Sequence, residues 1–210
     1  LFLVGNAGEN RLYRQAGGLR FVDATAAAGV AGGDRWGAGA AFGDVDNDGD
    51  LDLFVCNYEA ANQLFLNDGR GRFREGAKAA GVDLVAASFM PSFCDYDGDG
   101  DLDLFVLTYR AYRAGGRAAH IVDFAKDGTF AVRPAMRRYY QAKRIGTDKQ
   151  GKPLVKVKTY GHRDHLYRNN GDGTFTDVST ETGITSFGMG LSATWWDYDE
   201  DGRPDLYVCN

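Results

Sequence analysis

The sequence has few of the residues and motifs that mark the common enzyme and membrane-protein classes. Its 210 residues include only 4 prolines, 3 cysteines and 3 histidines. No run of 18 apolar residues occurs, so no membrane span is predicted in this chain. No Gly-x-Ser-x-Gly, Cys–His or P-loop signature is present, so no recognised motif supports catalysis. The odd cysteine count favours small buried apolar residues, and a disulfide to a part of the protein outside this chain is the alternative.

Glycine, aromatic residues and aspartate are abundant instead. The chain holds 29 glycines and 13% aromatic residues, and with so few prolines this composition fits an all-β repeat protein. Acidic residues outnumber basic ones, which gives a formal net charge of -5. The length suits one large domain or part of one.

The aspartates are concentrated in three copies of the pattern Asp-x-Asp-x-Asp-Gly-x-x-Asp. Carboxylates packed this closely repel one another unless a cation lies between them, and alternating oxygen ligands suit Ca²⁺, which takes ~6–8 oxygens. The glycine at position six allows a positive φ, and the seventh residue contributes its backbone carbonyl. The predicted ligands of three Ca²⁺ sites are Asp44, Asp46, Asp48, Asp50 and Asp52; Asp95, Asp97, Asp99, Asp101 and Asp103; and Asp197, Asp199, Asp201, Arg203 and Asp205.

These loops differ from EF-hand loops at two points. An EF-hand ends in a bidentate Glu at position 12 and is flanked by helices, whereas position 12 here is Val55, Val106 or Val208. Each loop also runs into a short apolar segment with strand-like composition. The pattern therefore predicts β-hairpin connections closed around an ion. The third loop should bind most weakly, because Arg203 and Pro204 replace an Asp-Leu pair.

A longer repeat surrounds each loop. Asp44 and Asp95 are 51 residues apart, and Asp95 and Asp197 are 102 apart. The predicted order of elements in each unit is a strand, the aspartate loop, a strand, a connection, a strand, a glycine turn and a strand. A repeat period near 50 residues is typical of propeller blades. The predicted fold is all-β, with propeller blades of four antiparallel strands. The predicted units are the end of one blade at about 1–36, a full blade at 37–88, a blade with an insertion at 89–186 and the start of another at 187–210.

The chain resembles the FG-GAP/VCBS repeat family of integrin-like β-propellers, and within it the cartilage acidic protein-like ASPIC/UnbV group. The resemblance lies in Phe42-Gly43-Asp44 and the loop that follows, in Arg168-Asn-Asn-Gly-Asp-Gly-Thr-Phe175, and in the segment from Gly188 to Asp199. It implies structural calcium sites, an extracellular, periplasmic or cell-surface location, and a role in binding or adhesion. The three blade-equivalents imply that the rest of the ring lies outside this chain, because propellers close with ~4–8 blades.

An insertion interrupts the second blade at 110–163. It holds 14 lysines and arginines against three aspartates, a net +11, which leaves -16 for the rest of the chain. One interpretation is a surface for a protein or an acidic glycan, in preference to nucleic acid. The other is a solvated flap packed on the acidic body. The predicted anion contacts are Arg133, Arg137, Arg138, Lys143, Arg144, Lys156 and Lys158.

The sequence favours a calcium-binding, non-catalytic protein that mediates protein or glycan binding. The alternative is a calcium-dependent polysaccharide lyase on a propeller scaffold. A lyase needs a base and a charge neutraliser in one groove, and the insertion could supply them from His162, Tyr139 or Tyr140 and its basic residues. His165 aligns with Arg11 and Gln63 in other units, so the repeat itself requires no histidine there.

Overall fold

The computed structural model describes residues 1–5, 8–110, 120–137, 139–185 and 188–209, and this part of the chain is an all-β fold. Two four-residue helices, α1 (Thr25–Ala28) and α2 (Ala77–Ala80), are the α-helices of the described chain, and both are far shorter than a membrane span. The strands are β1 (Phe2–Leu3), β2 (Arg11–Gln15), β3 (Phe21–Asp23), β4 (Gly37–Gly43), β5 (Asp52–Ala61), β6 (Gln63–Asn67), β7 (Phe73–Glu75), β8 (Val85–Cys94), β9 (Asp103–Thr108), β10 (Val122–Phe124), β11 (Phe130–Val132), β12 (Tyr140–Thr147), β13 (Pro153–Thr159), β14 (His165–Asn169), β15 (Phe175–Asp177), β16 (Ser192–Trp196) and β17 (Asp205–Cys209).

The first complete blade consists of β4 to β7, which pair antiparallel in chain order. β4 and β5 form the hairpin that carries the first aspartate loop, and the glycine turn joins β6 to β7. The predicted order of strands and turns is therefore confirmed. Strands β8, β9, β14 and β15 repeat it in the second blade, where β9 pairs with β14 across the insertion.

One part of the blade differs from the prediction. A connection was expected between the second and third strands, but residues 58–61 extend β5, and only Asn62 separates β5 from β6. The reason is pairing between blades, because Tyr58, Ala60 and Ala61 of β5 face Ala87, Ala86 and Val85 of β8. This pairing joins the two blades into a single curled sheet.

The strands that follow the first two aspartate loops, β5 and β9, are buried on both faces, whereas β17 after the third loop is partly exposed. Leu53 and Val55 of β5 pack into one apolar cluster with residues of the preceding unit, including Val30. Phe54 and Cys56, which point the opposite way along the strand, pack into a second cluster with residues of the following blade. A third cluster joins the second blade to β16 and β17. Each core therefore lies between two neighbouring units.

The tryptophans of β16 follow the alternation of a strand. Trp195 packs edge-on against Phe105, with ring centroids 6.3 Å apart, whereas Trp196 is exposed and contacts Tyr198. The cysteines follow a less uniform pattern. Cys56 is buried, Cys94 is half-buried and Cys209 is exposed, and none is bonded to another in the described chain. The expectation of burial is therefore correct for Cys56 and wrong for Cys209.

A buried side-chain oxygen fixes the start of the third strand in each unit. The backbone N–H groups of Gly5, Asn57 and Thr108 donate to Asn10, Asn62 and Asp164 at 3.0, 2.9 and 2.8 Å. Asp164 also accepts a hydrogen bond from the Thr108 hydroxyl. This explains the recurring Asn or Asp before the Leu-Tyr or Leu-Phe pair, because that residue satisfies a backbone donor that the sheet would otherwise leave buried.

The insertion leaves the second blade at the end of β9 that is farther from the aspartate loop. It begins and ends at an isolated bridge between Arg110 and Gly161, and it contains the hairpins β10–β11 and β12–β13. A strand of five or six residues spans ~17–20 Å. The insertion therefore emerges on the face opposite the aspartate loops, as its place between the second and third strands requires.

We expect Asp164→Ala to destabilise the fold by about 1–3 kcal/mol, because it leaves the buried N–H of Thr108 without its acceptor. Asp164→Asn is the matched control, since it keeps an oxygen at this position, as Asn62 does in the preceding blade. Urea denaturation followed by circular dichroism measures both. Equal losses for the two variants would show that the charge of Asp164, and not its acceptor role, matters.

Candidate metal centres

Three groups of carboxylates meet the geometric requirement for a cation site. In each group, one ligand oxygen from each of three aspartates lies within 4.8 Å of the others. Oxygen-only ligands at this spacing fit a hard cation such as Ca²⁺. The groups are Asp44, Asp46 and Asp48; Asp95, Asp97 and Asp99; and Asp197, Asp199 and Asp205.

The first aspartate of each loop holds the backbone in a tight turn. In the first loop the Asp44 carboxylate accepts hydrogen bonds from the N–H groups of Asp48 and Gly49 at 3.1 and 3.0 Å. Asp95 and Asp197 accept the corresponding bonds in their loops. Gly49 has φ 91°, so the glycine at position six adopts the predicted positive φ. These bonds arrange the carboxylates before any ion binds.

The ninth aspartate anchors each loop to its hairpin. Asp52 accepts hydrogen bonds from the N–H groups of Val45 at 3.0 Å and Asn67 at 2.8 Å, and Asp103 makes the equivalent pair. Both carboxyls are buried, whereas Asp205 of the third loop is exposed and accepts from Tyr198 at 2.9 Å. Burial raises the pKa of Asp103 to about 6 and also raises the pKa of Asp52. A cation beside them would favour the charged form.

The seventh residues do not place their side chains in the carboxylate groups. Asp101 instead accepts a hydrogen bond from the Asn47 side chain of the first loop at 2.5 Å, which links two neighbouring loops. A Cβ at Gly69 would collide with the Asp50 carboxylate, so that side chain lies against the glycine turn. Both positions are consistent with the prediction that only the backbone carbonyl of residue seven faces the ion. The Asn47–Asp101 link was not predicted, because no feature of one repeat indicates its neighbour.

Position four of each loop requires a left-handed backbone. Its φ is 57° at Asn47, 77° at Gly98 and 62° at Glu200. Asn and Gly adopt this conformation readily, whereas Glu has no such tendency. The third loop therefore carries strain that the first two avoid.

The basic residues of the insertion do not form one continuous surface. Arg133 is paired with Asp123 at 2.8 Å, and Arg137 donates to the carbonyl of Val132. Arg144 pairs with Val155, on the opposite face of the β12–β13 hairpin from Lys143. Lys143 and Lys156 are directly opposite each other and exposed, and Lys158 lies on the same face. Arg138 lies outside the described residues.

The residues considered for a lyase are held by other contacts. His162 lies 3.8 Å from Glu59, and burial lowers its pKa. His165 bonds Asp177 at 2.8 Å and stacks on Tyr167. Tyr140 is buried, with its ring 6.3 Å from that of Tyr139.

Comparison with known proteins places these loops in a described class. A model of the FG-GAP-like repeat matches residues 1–55, 44–106 and 154–208, so the chain belongs to the FG-GAP-like repeat family. Most of the insertion falls between the matched ranges. The resemblance predicted from the aspartate loops and their flanking strands is thereby confirmed.

Among individual proteins, the chain is similar to cartilage acidic protein 1. It is 32% identical over 126 residues to the protein of Homo sapiens, which covers 54% of this chain and 18% of that protein. It is 29% identical over 144 residues to the protein of Xenopus tropicalis, which covers 60% of this chain and 21% of that protein. The chain therefore spans about a fifth of the length of these relatives.

We expect Glu200→Gly to stabilise the fold by about 0.5–1 kcal/mol, because glycine removes the strain of a positive φ at the cost of some chain entropy. Glu200→Gln is the control, since it removes the same charge and keeps the Cβ. Chemical denaturation at one fixed calcium concentration measures the difference. A gain of equal size in both variants would assign the effect to charge.

Proposed function

We propose that this chain is a calcium-stabilised segment of an extracellular β-propeller that binds other macromolecules and catalyses no reaction. The observation that carries the proposal is the set of three loops with the same aspartate pattern, each with three carboxylate oxygens within 4.8 Å of one another, although the third group includes Asp205 in place of Asp201. Membership of the FG-GAP-like repeat family supports it.

The calcium ions have a structural role in this proposal. The strong ligands of each site come from one nine-residue loop. An ion bound there therefore fixes one hairpin, and the proposal gives it no role in binding a substrate. Burial and the neighbouring carboxylate of Asp48 raise the pKa of Asp46, which indicates repulsion that a cation would relieve. Asp44, Asp46, Asp48 and Asp52 are the side-chain ligands proposed for the first site, with the Asp50 carbonyl, and their equivalents are proposed for the other two.

An extracellular location follows from the expected affinity. Calcium modules of extracellular proteins work at roughly 10⁻⁴–10⁻³ M, far above cytosolic calcium. Loops of this open kind would remain empty in the cytosol. Recovery of the full-length protein from a cytosolic fraction would contradict this part of the proposal.

The macromolecular partner is proposed to carry negative charge. The insertion has a net charge of +11 while the remainder has -16. The Debye length at physiological salt is ~8 Å, shorter than the ~17–20 Å length of a blade strand. The insertion therefore cannot mainly neutralise the aspartate loops on the opposite face. Its exposed Lys143, Lys156 and Lys158 face is the proposed contact surface.

Removal of calcium should lower the melting temperature by about 5–10 °C. This follows because saturation of even one site at 100 times Kd stabilises the native state by ~2.7 kcal/mol, and 1 kcal/mol is worth ~2–4 °C in a chain of this size. Thermal melts of the full-length protein in excess CaCl₂ and in EGTA measure the shift. An unchanged melting temperature contradicts the calcium proposal.

Single loop variants should identify the sites. Asp46→Asn, Asp97→Asn and Asp199→Asn each remove one charge from one loop, so each should weaken or abolish one calcium-binding event in isothermal titration. The Asp199→Asn variant should lose the weakest event, because Arg203 and Pro204 already weaken the third loop. Three sites of equal affinity would contradict this ranking.

Replacement of both Lys143 and Lys156 by alanine should lower the salt concentration at which the protein elutes from heparin, a sulfated polysaccharide. In the matched control, alanine replaces Lys149 and Lys152 in the β12–β13 turn, which removes the same amount of charge from the same hairpin. A larger shift for the first pair supports the strand face as the contact. Equal shifts would indicate binding by net charge alone, and no salt-dependent binding would leave the insertion as packing.

A further inference from the structure

An open cavity of about 520 Å³ lies on the face opposite the aspartate loops. Its walls are aromatic side chains from two neighbouring blades. Tyr58 lies within β5 and Tyr109 directly follows β9, at equal distances along the chain from Asp52 and Asp103. The volume is in the range of small-ligand sites, ~300–1,000 Å³. The cavity is therefore separate from the metal centres and lies at the base of the insertion.

The aromatic rings form two pairs across the cavity. Trp36 and Tyr58 have ring centroids 5.1 Å apart at an interplanar angle of 43°, and Phe89 and Tyr109 have centroids 5.6 Å apart at 31°. Trp36 remains 51% exposed. A tryptophan in the wall of an open cavity presents a large apolar face to solvent, and such faces bind flat apolar surfaces of a ligand.

The floor of the cavity is fixed by close backbone packing. A Cβ on Gly37 would lie 3.0 Å from both the Asn10 side chain and Val4. A Cβ on Gly39 would collide with the carbonyl of Phe89 in the next blade. The backbone carbonyl of Trp36 also accepts a hydrogen bond from Tyr58 at 2.8 Å. These contacts fix the backbone next to Trp36 and at Phe89, which carry one ring of each pair.

One positively charged side chain, that of Arg110, lines the cavity. Arg110 is the one charged side chain among the described residues that line it. Its guanidinium lies 5.7 Å from the centre of the Tyr109 ring, and interaction with the Tyr58 side chain raises the pKa of Arg110. Arg110 is also the first residue of the insertion, which carries a net charge of +11. The nearby Glu59 faces His162 at 3.8 Å.

We propose that this cavity binds one residue of an acidic polysaccharide, with the apolar face of the sugar ring on Trp36 and its carboxylate or sulfate group on Arg110. A pyranose with an anionic substituent combines the two features that the lining recognises, a flat apolar face and a negative charge. The inference assigns a specific subsite to the proposed macromolecule-binding function, and so rests on that function. It does not depend on calcium occupancy or on the Lys143 and Lys156 face.

The test measures binding of three defined hexasaccharides to the full-length protein in saturating calcium. These are an oligogalacturonide, its methyl ester, and a sulfated galactan without uronic acid. Comparison of the oligogalacturonide with the sulfated galactan distinguishes a carboxylate from a sulfate as the source of the charge. The methyl ester has no charge. Binding of either acidic probe, with about tenfold weaker binding of the ester, is the expected result, because a charge-assisted hydrogen bond is lost. Equal binding of the ester, or no binding of either acidic probe, overturns the proposal.

Variants then locate the site. Trp36→Ala should weaken binding about tenfold, because it removes one stacking face. Trp196→Ala is the matched control, since Trp196 is equally exposed but lies on β16. Arg110→Gln should bind acid and ester with equal affinity. Trp36→Phe provides a second variant that keeps a ring, and it should abolish the tryptophan fluorescence change on binding while it retains most of the affinity.

The outcomes separate this inference from the function proposed above. If the Lys143 and Lys156 variant loses heparin binding while Trp36→Ala binds the hexasaccharides normally, the cavity is not the subsite and the basic face remains supported. If an acidic proline-rich peptide binds in a Trp36-dependent manner and the hexasaccharides do not, the cavity is a peptide site and the saccharide proposal is wrong.

Discussion

Repulsion among carboxylates is the constraint around which each hairpin is built. An aspartate loop holds three carboxylate oxygens within 4.8 Å, at the point where two strands must turn back on each other. In the first loop, backbone N–H groups from within the loop hold the first aspartate, and the N–H groups of Val45 in the loop and Asn67 at the end of β6 hold the ninth. The position and direction of the first two strands of a blade therefore depend on how this charge is compensated. The core follows from it in the first two blades, because β5 and β9, the strands leaving those loops, are the most deeply buried of their blades.

Local chemistry could be predicted from the sequence to the level of individual residues. The aspartate spacing, the glycine at position six and the apolar segment after the loop all lie within about 12 consecutive residues, and each of them is reproduced in the structure. The alignment of His165 with Gln63 makes Asp164 and Asn62 equivalent positions, but their role as acceptors for Thr108 and Asn57 required coordinates. A repeat reveals which positions are equivalent and does not reveal which atoms they contact.

Contacts between blades could not be predicted in the same way. The pairing of Tyr58 with Ala87, the bond from Asn47 to Asp101 and the cavity walled by Trp36 and Phe89 each join residues of different units. A single repeat contains no information on the twist between neighbours. The basic insertion was recognised by its charge, yet the separation of Lys143 from Arg144 onto opposite faces depends on the strand register.

The sharing of each apolar cluster between two units has a consequence for cooperativity. A blade of this kind has no core of its own, so its stability is a nearest-neighbour quantity, as in a one-dimensional array of coupled elements. Loss of one blade would expose half of two clusters, and damage to β5 would reach residues of the units on either side through Val30 and Leu104. In such an array, the resistance of a unit to unfolding depends more on how many neighbouring units it retains than on the contacts among its own residues.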